Sequence, residues 1–166
     1  MPYAENTTVP VEKSRAELEQ MLMRAGALQY STSHDVEKGA VAVQFTIVSG
    51  GGLERVRQYR IVLQLPKLED IARMRSRRTG RVVTRSPEET RKAHEQACRE
   101  RWRALVLAVK AKLVLIELGT SSFEQEFLSN LLLENGETVY ERIEAGIHQT
   151  YLTGRSTPLL KQGDGS

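Results

Sequence analysis

Residues 41–66, VAVQFTIVSGGGLERVRQYRIVLQLP, decide the fold that this sequence predicts. Between 41 and 47 apolar side chains alternate with small or polar ones, which is the pattern of a half-buried β-strand. The serine and three glycines at 49–52 predict a tight turn, because glycine adopts positive φ without strain. Alternation resumes over 55–65, and a shorter alternation at 28–31 precedes the whole stretch. The sequence therefore predicts an antiparallel meander of three strands with one apolar face.

Helix-start signals lie on both sides of this meander. Residues 14–17 (SRAE) have the spacing of a capping box and predict a first helix over 14–25. Residues 86–89 (SPEE) combine an N-cap serine, a proline at the first helical position and a glutamate at the third. They predict a long helix that can continue to Gly119, with a length of about 48 Å.

Two shorter helices are predicted at the C-terminal end. Residues 121–124 cap a helix that ends at 135–136, and residues 138–141 cap another that ends near Gly154. The predicted order is an N-terminal helix, a three-stranded antiparallel meander, a long basic loop, a long helix and two shorter C-terminal helices. This order is typical of an α+β fold and differs from a βαβ alternation.

Length and composition agree with one globular domain. The chain has 166 residues, of which 40% are hydrophobic and 27% are charged. We expect a single domain over 1–154, a mobile basic loop over 67–86 and a flexible tail over 155–166. The single cysteine and the lack of an apolar signal-peptide core predict a reducing compartment, hence a cytoplasmic protein. No apolar stretch approaches the roughly 20 residues of a membrane span, so no membrane partner is expected.

Charge is distributed unevenly along the chain. The net formal charge is +3, but residues 1–54 carry −3, residues 55–112 carry +11 and residues 113–166 carry −5. A middle block this basic attracts anionic partners, whereas the two outer blocks repel them. The distribution indicates a binding surface in the middle block.

No arrangement of residues indicates catalysis or cofactor binding. Cys98 lies on the apolar stripe of the long helix and is predicted to be a core residue with a raised pKa. The three histidines are far apart in sequence and lack the spacing of metal ligands. The glutamate pairs at 124/126 and 141/144 are interpreted as solvated faces. We expect a non-enzymatic protein without a metal or cofactor.

The basic middle block predicts a surface for phosphate contact. Guanidinium groups offer forked donors with a permanent charge, and a loop can adapt to a nucleic-acid backbone. Four basic residues of the long helix recur at steps of seven, four and seven, which puts them on one stripe. The predicted nucleic-acid-binding residues are Arg73, Arg75, Arg77, Arg78, Arg81, Arg85, Lys92, Arg99, Arg103 and Lys110.

The expected partner is nucleic acid, with DNA favoured over RNA, bound through its backbone with little sequence selectivity. Trp102 lies among arginines, where a base could stack, but it shares the apolar stripe and is predicted to be core. An acidic protein, or this protein's own acidic third, could occupy the basic loop instead. The alternative function is a protein-interaction module, such as an inhibitor of a host or defence complex. A homo-oligomer is also plausible, because the long helix has apolar residues beyond one stripe: Val106, Leu107, Val114 and Leu115.

Three sequence segments resemble those of known proteins: residues 9–17 (VPVEKSRAE), 101–113 (RWRALVLAVKAKL) and 123–128 (FEQEFL). Together they resemble a family of small phage- and prophage-encoded proteins of uncharacterised function, over about residues 3–160. The resemblance implies a mobile-element context and a host-cell cytoplasm, where accessory proteins of DNA metabolism and inhibitors of host defence are common. It carries over no catalytic residue.

Overall fold

The computed structural model of the chain describes residues 4–48, 56–75 and 80–154, except for the side chain of Arg75. Its elements follow in the order α1 (Val11–Arg24), β1 (Ala27–Asp35), β2 (Ala40–Val48), β3 (Val56–Gln64), α2 (Leu68–Ala72), β4 (Arg73–Arg75), β5 (Val82–Thr84), α3 (Pro87–Glu117), α4 (Phe123–Phe127), a 3₁₀ turn (Leu128–Asn130) and α5 (Val139–Thr153). The predicted α+β class is confirmed: along the chain, the strands of the main sheet follow an N-terminal helix and precede the later helices.

The main sheet is the predicted antiparallel meander, with β2 in the centre. Tyr30, Phe45 and Tyr59 are paired across the three strands, so these rings lie on one face. Leu28 is exposed although its alternation predicted an inward position, because the pairing with β2 shifts between residues 27 and 29. The predicted turn at 49–52 lies outside the described residues.

The core lies between the inner face of this sheet and α1, α3 and α4. Leu18 and Leu22 of α1 are fully buried, and Trp102, Val106 and Val109 of α3 are at most 2% exposed. Burial of each such side chain contributes about 1.5–3 kcal/mol. Four rings close one end of the core, with Phe123 and Phe127 stacked at a centroid distance of 4.6 Å and both against Phe45 and Tyr59.

The predicted start of α1 is wrong by one turn. The helix begins at Val11 after Pro10, so Ser14 lies inside the first turn and does not cap it. Ser14 is fully buried, and its hydroxyl has no hydrogen-bond partner among the described residues. Packing of the helix against the core outweighs a local capping signal of about 1 kcal/mol.

The segment predicted as a helix ending at residues 135–136 is helical only as far as the 3₁₀ turn. Leu131 then forms a β-bridge with Tyr59, and the Leu132 amide donates to the Gln58 carbonyl at 2.8 Å. The chain turns back so that Leu132 bridges Thr138, which also caps α5. Residues 131 and 132 therefore pair with the edge of β3 instead of continuing a helix.

The segment predicted as a long basic loop, 67–86, contains regular structure. Residues 68–72 form α2, and β4 pairs with β5 in an antiparallel hairpin. The β-branched run at 82–84 supplies one strand of this hairpin. The predicted tail at 155–166 lies outside the described residues.

Candidate nucleic-acid interface

The hairpin of β4 and β5 is a two-stranded ribbon separate from the main sheet. Its register pairs Arg73 with Thr84, Met74 with Val83 and the backbone of Arg75 with Val82. Among the described strands, β4 and β5 pair with each other alone. Arg73, Arg81 and the three apolar side chains of the ribbon are exposed, and Val82 reaches 68%. The ribbon thus presents cationic and apolar groups together to solvent.

The base of the ribbon is closed by two carbonyls at the end of α2. The Arg85 amide donates to the Ala72 carbonyl at 2.9 Å, and its guanidinium Nη1 donates to the Ile71 carbonyl at 2.5 Å. One ring nitrogen of His94 lies 2.9 Å from the Pro66 carbonyl, which ties α3 to the start of this segment. Arg85 was predicted as a phosphate contact, but in this arrangement it positions the hairpin.

Four exposed cations lie on this ribbon or close to it along the chain: Arg73 and Arg81 on the hairpin, and Arg91 and Lys92 in the first turns of α3. Lys67 and four acidic residues of the same stretch are exposed as well: Glu69, Asp70, Glu88 and Glu89. Only two residues separate β5 from α3, so the helical pair lies within about 10 Å of rise from the hairpin base. Lys92 contacts Glu88 at 2.7 Å, but both side chains are more than two-thirds exposed, and such pairs contribute little energy. We call these four cations and the ribbon the hairpin surface.

Some predicted contacts lie outside what the structure describes. Arg77 and Arg78 fall between the described ranges, and Arg75 is described only by its backbone in β4. Their place in the predicted interface stays a prediction from sequence.

The predicted stripe on α3 is divided by the packing of α1. The guanidinium of Arg103 contacts the carboxylate of Glu17 on α1 at 2.5 Å, and Arg99 donates to Gln96. Lys110 is exposed, but it lies beside the C-terminal end of α1, 18 residues and about 27 Å of helix from Lys92. Lys92 thus lies in the first turns of α3, close to β5 along the chain, whereas Arg99, Arg103 and Lys110 lie further along the helix.

Three ion pairs between described residues join distant parts of the chain. They are Arg103 with Glu17, Arg60 with Glu141 at 2.7 Å, and Lys112 with Glu126 at 3.6 Å. Each combines a base of the middle block with an acid of an outer block. The acidic outer blocks thus neutralise middle-block cations that lie against the folded body.

The first turn of α5 is held on the outer side of β3 by one of these pairs. The Glu141 carboxylate accepts from the Thr138 amide and hydroxyl and from Arg60. These hydrogen bonds, above all the one from the Thr138 amide, lower the pKa of Glu141 from its ordinary value of 4.5. Glu141 therefore serves as both a helix cap and a tether.

The potentially reactive side chains are used structurally. The prediction that Cys98 is a core residue is wrong, because Cys98 is half-buried beside His94 at 3.8 Å and lies outside the central cluster. Partial burial raises the pKa of its thiol, in the predicted direction. Among the described residues, no group of three or more histidines, cysteines and acidic residues could hold a metal ion. Glu126 and Glu141, which belong to the two glutamate pairs, each contact a cation instead.

Aromatic rings are mostly buried. Trp102 is 1% exposed and belongs to the core, as predicted, with the guanidinium of Arg15 lying 5.7 Å from its ring centroid. Within the described part, the aromatic side chains classed as exposed are Tyr140 and Tyr151, both on α5 in the acidic third. The hairpin surface therefore lacks a described aromatic ring on which a base could stack.

A second exposed surface lies on α5, which has no buried residue. Tyr140, Ile143, Ile147 and Tyr151 recur at steps of three, four and four, so they form one stripe. Tyr151 is 87% exposed and its neighbour Leu152 is 72% exposed. Of the surplus apolar residues predicted on the long helix, Val106 is fully buried in the core, whereas Val114 and Leu115 are 43% and 39% exposed. The predicted homo-oligomer stays a prediction.

The fold and the hairpin surface define an α+β domain that carries a basic two-stranded ribbon. No protein-family model, curated protein or solved structure matches the chain. Along the described ranges, no helix has the length and apolar character needed to cross a membrane.

Sequence reasoning missed the hairpin and its exposed apolar side chains. The signal was present, because Val82, Val83 and Thr84 are strand formers, and the register pairs Met74 with Val83. The surrounding arginines favoured a loop interpretation. Gly80, whose φ is +66°, lies between the strands and adopts a conformation typical of a turn.

Proposed function

We propose that this protein is a non-enzymatic nucleic-acid-binding protein that contacts phosphates through the hairpin surface. An accessory role of a phage-encoded protein in a host-cell cytoplasm is part of this proposal, as the sequence resemblance implies. The observation that carries the proposal is the exposure of Arg73 and Arg81 on the β4–β5 hairpin, followed after β5 by the exposed Arg91 and Lys92 in the first turns of α3.

The chemistry of the surface suits phosphate contact. Arginine presents permanently charged donors that match phosphate oxygens, and lysine adds a point charge. Backbone contacts of this kind position a protein on nucleic acid and dominate its affinity. Two-stranded ribbons with exposed side chains are an established means of nucleic-acid binding.

Fluorescence anisotropy with a labelled 20-nucleotide duplex tests the proposal at 50 and 200 mM salt. We expect binding that weakens steeply with salt, and a further loss when Arg73 and Arg81 are both changed to alanine. The matched control changes Arg24 and Lys110 to alanine, which also removes two exposed positive charges, but at the far part of α3. The proposal would be refuted if no nucleic acid bound at 50 mM salt, or if the binding were the same at 50 and 200 mM.

A second candidate function is protein binding through α5. The observation that favours it is the stripe of Tyr140, Ile147 and Tyr151 on a helix without a buried residue, since such exposed apolar stripes mark interaction sites. Recovery of a stoichiometric host protein by the wild type after nuclease treatment, and its loss with Tyr151→Glu, would support this function. Light scattering on the purified protein separates a second copy of the chain from a foreign partner.

A further inference from the structure

We propose that a second copy of this chain covers an outward apolar face of α3, in an antiparallel pair of α3 helices whose two-fold axis passes beside Ala111. The inference does not depend on nucleic-acid binding, because the face lies further along α3 than the cations of the hairpin surface.

Two apolar stripes run along opposite sides of α3. The first recurs at steps of four and three and is buried in the core or packed against it: Trp102, Val106, Val109, Leu113 and Ile116. The second repeats the same steps two residues later: Ala104, Ala108, Ala111, Leu115 and Leu118. A shift of two residues turns a helix by about 200°, so the second stripe faces away from the core. We call this stripe, with Leu107 and Val114 beside it, the outer face of α3.

The outer face is exposed as well as apolar. Its three alanines are exposed, and Val114, Leu115 and Leu118 are 43%, 39% and 71% exposed. The face extends from residue 104 to residue 118, over about 21 Å of helical rise. Continuous apolar surface of this extent marks an interaction site.

The charged residues within 104–118 lie on other sides of the helix. Lys112 donates to the carbonyl of Glu126 at the α4 side of the body. Lys110 and Glu117 line a groove beside the C-terminal end of α1. A partner on the outer face therefore meets apolar side chains along its whole length and buries none of these three charges at its centre.

The sizes of the side chains select the occupant. All three alanines of the outer face lie in its first half, and three of its four large side chains lie in its second half. In an antiparallel pair centred on Ala111, the large half of each copy meets the small half of the other. Leu118 then lies opposite Ala104, and Val114 lies opposite Ala108, which lets the two surfaces interdigitate. A parallel pair would place alanine against alanine and leave gaps.

The two-fold arrangement also closes the assembly at two copies. Each contact occurs twice, because both copies use the same patch, and no apolar end is left for a third copy. Two helical faces about 21 Å long and 10 Å wide bury on the order of 1,000 Å² in total, which is near the lower limit of specific interfaces. We therefore expect a dimer with a dissociation constant on the order of 10 µM.

Sedimentation equilibrium of the full chain between about 1 and 500 µM measures the dimer. Ala111→Glu places two carboxylates against each other at the two-fold axis, so we expect dimerisation to weaken at least about a hundredfold. The matched control is Ala145→Glu, at an exposed alanine of α5 that lies off the stripe of Tyr140. Both alanines are exposed, and urea unfolding verifies that each variant is folded.

Disulfide cross-linking tests the direction of the pair, in a chain whose Cys98 is changed to serine. At an interaxial distance of about 10 Å, the two Cα atoms of residue 111 lie about 5 Å apart, which is within the range of a disulfide. The two copies of residue 118 are separated by about 42 Å along the helix axes if the pair is antiparallel, twice the rise of 14 residues when counted from residue 104 to residue 118 in each copy, less the shared overlap of about 21 Å. We expect Ala111→Cys to cross-link on oxidation and Leu118→Cys to stay uncross-linked.

Each contrary result overturns the inference. A monomer throughout the concentration range does so, and so does efficient cross-linking of both cysteine variants, which indicates a parallel pair. A dimer that survives Ala111→Glu and dissociates with Tyr151→Glu assigns self-association to α5 instead. Since the apolar contact is insensitive to salt and the assays contain no nucleic acid, none of these results decides the proposed function.

Discussion

The most discriminating prediction concerns two arginines that were both predicted from the sequence to contact nucleic acid. Arg73 is exposed on the ribbon, whereas Arg103 contacts Glu17 at 2.5 Å with both side chains less than one-third exposed. Arg73→Ala and Arg103→Met remove the same formal charge. If the hairpin surface binds phosphate, only the first removes a phosphate contact, and only the first changes how binding depends on salt.

The magnitude follows from the number of cations on the surface. Each neutralised phosphate contributes about −0.9 to the slope of log affinity against log salt concentration. The four described cations predict a slope of about −3.6, which is a loss of roughly 150-fold between 50 and 200 mM salt. Arg73→Ala lowers this to about −2.7, or roughly 40-fold. Full engagement of Arg75, Arg77 and Arg78 as well would steepen the wild-type slope to about −6.3.

Anisotropy titrations of a DNA duplex at five salt concentrations between 50 and 200 mM measure these slopes. Arg103→Met leaves Glu17 without its partner and costs about 1–3 kcal/mol of stability, so urea unfolding of each variant verifies that the folded form was titrated. We expect its slope to equal that of the wild type. A slope that falls equally for Arg73→Ala and Arg103→Met would contradict the assignment of binding to the hairpin surface.

Three further predictions address the fold. Trp102→Ala should lower the free energy of unfolding by about 3–5 kcal/mol in urea titrations, because the ring is 1% exposed among core residues; a loss below 1 kcal/mol would place the ring outside the core. The pKa of Glu141 lies below its ordinary value of 4.5 in the folded state, so its stabilising effect is present above that value and lost as pH falls through the folded pKa. Glu141→Gln should therefore flatten the fall in melting temperature between pH 5 and pH 3, and an unchanged profile would count against the tether. Burial raises the pKa of the Cys98 thiol, so iodoacetamide at pH 8 should modify it more slowly than a free thiol until urea exposes it, whereas equal rates would indicate an open thiol.

The helix caps and the strand alternation could be predicted from the sequence, because they depend on residues close together in the chain. The capping boxes at Ser86/Glu89 and at Thr138/Glu141 place the starts of α3 and α5 correctly, because both hydrogen bonds of each box join residues three apart. Gly154 ends α5 with a left-handed φ of 65°, as its position predicted. The alternation along β2 and β3 likewise fixes which face is apolar.

Non-local contacts account for what the sequence could not predict. Leu131–Leu133 is an apolar run that suits a helix, but the free edge of β3 offers backbone partners, and the chain pairs with Gln58 and Tyr59 instead. The stripe that includes Arg103 is regular on the helix, yet only the packing of α1 reveals that Glu17 covers it. Periodicity predicts which residues share a face, and tertiary packing decides what that face meets.

The uneven charge of the chain acquires a physical explanation from these contacts. A middle block of +11 between outer blocks of −3 and −5 would repel itself if its cations were all gathered on one surface. Glu17, Glu126 and Glu141 of the outer blocks instead meet Arg103, Lys112 and Arg60 at the folded body. An anionic ligand at the ribbon therefore approaches without first displacing one of these three carboxylates. Charge reversal of Glu17 should therefore destabilise the fold without weakening the intrinsic affinity of the folded protein for DNA. Charge reversal of Arg73 should weaken the affinity for DNA without destabilising the fold.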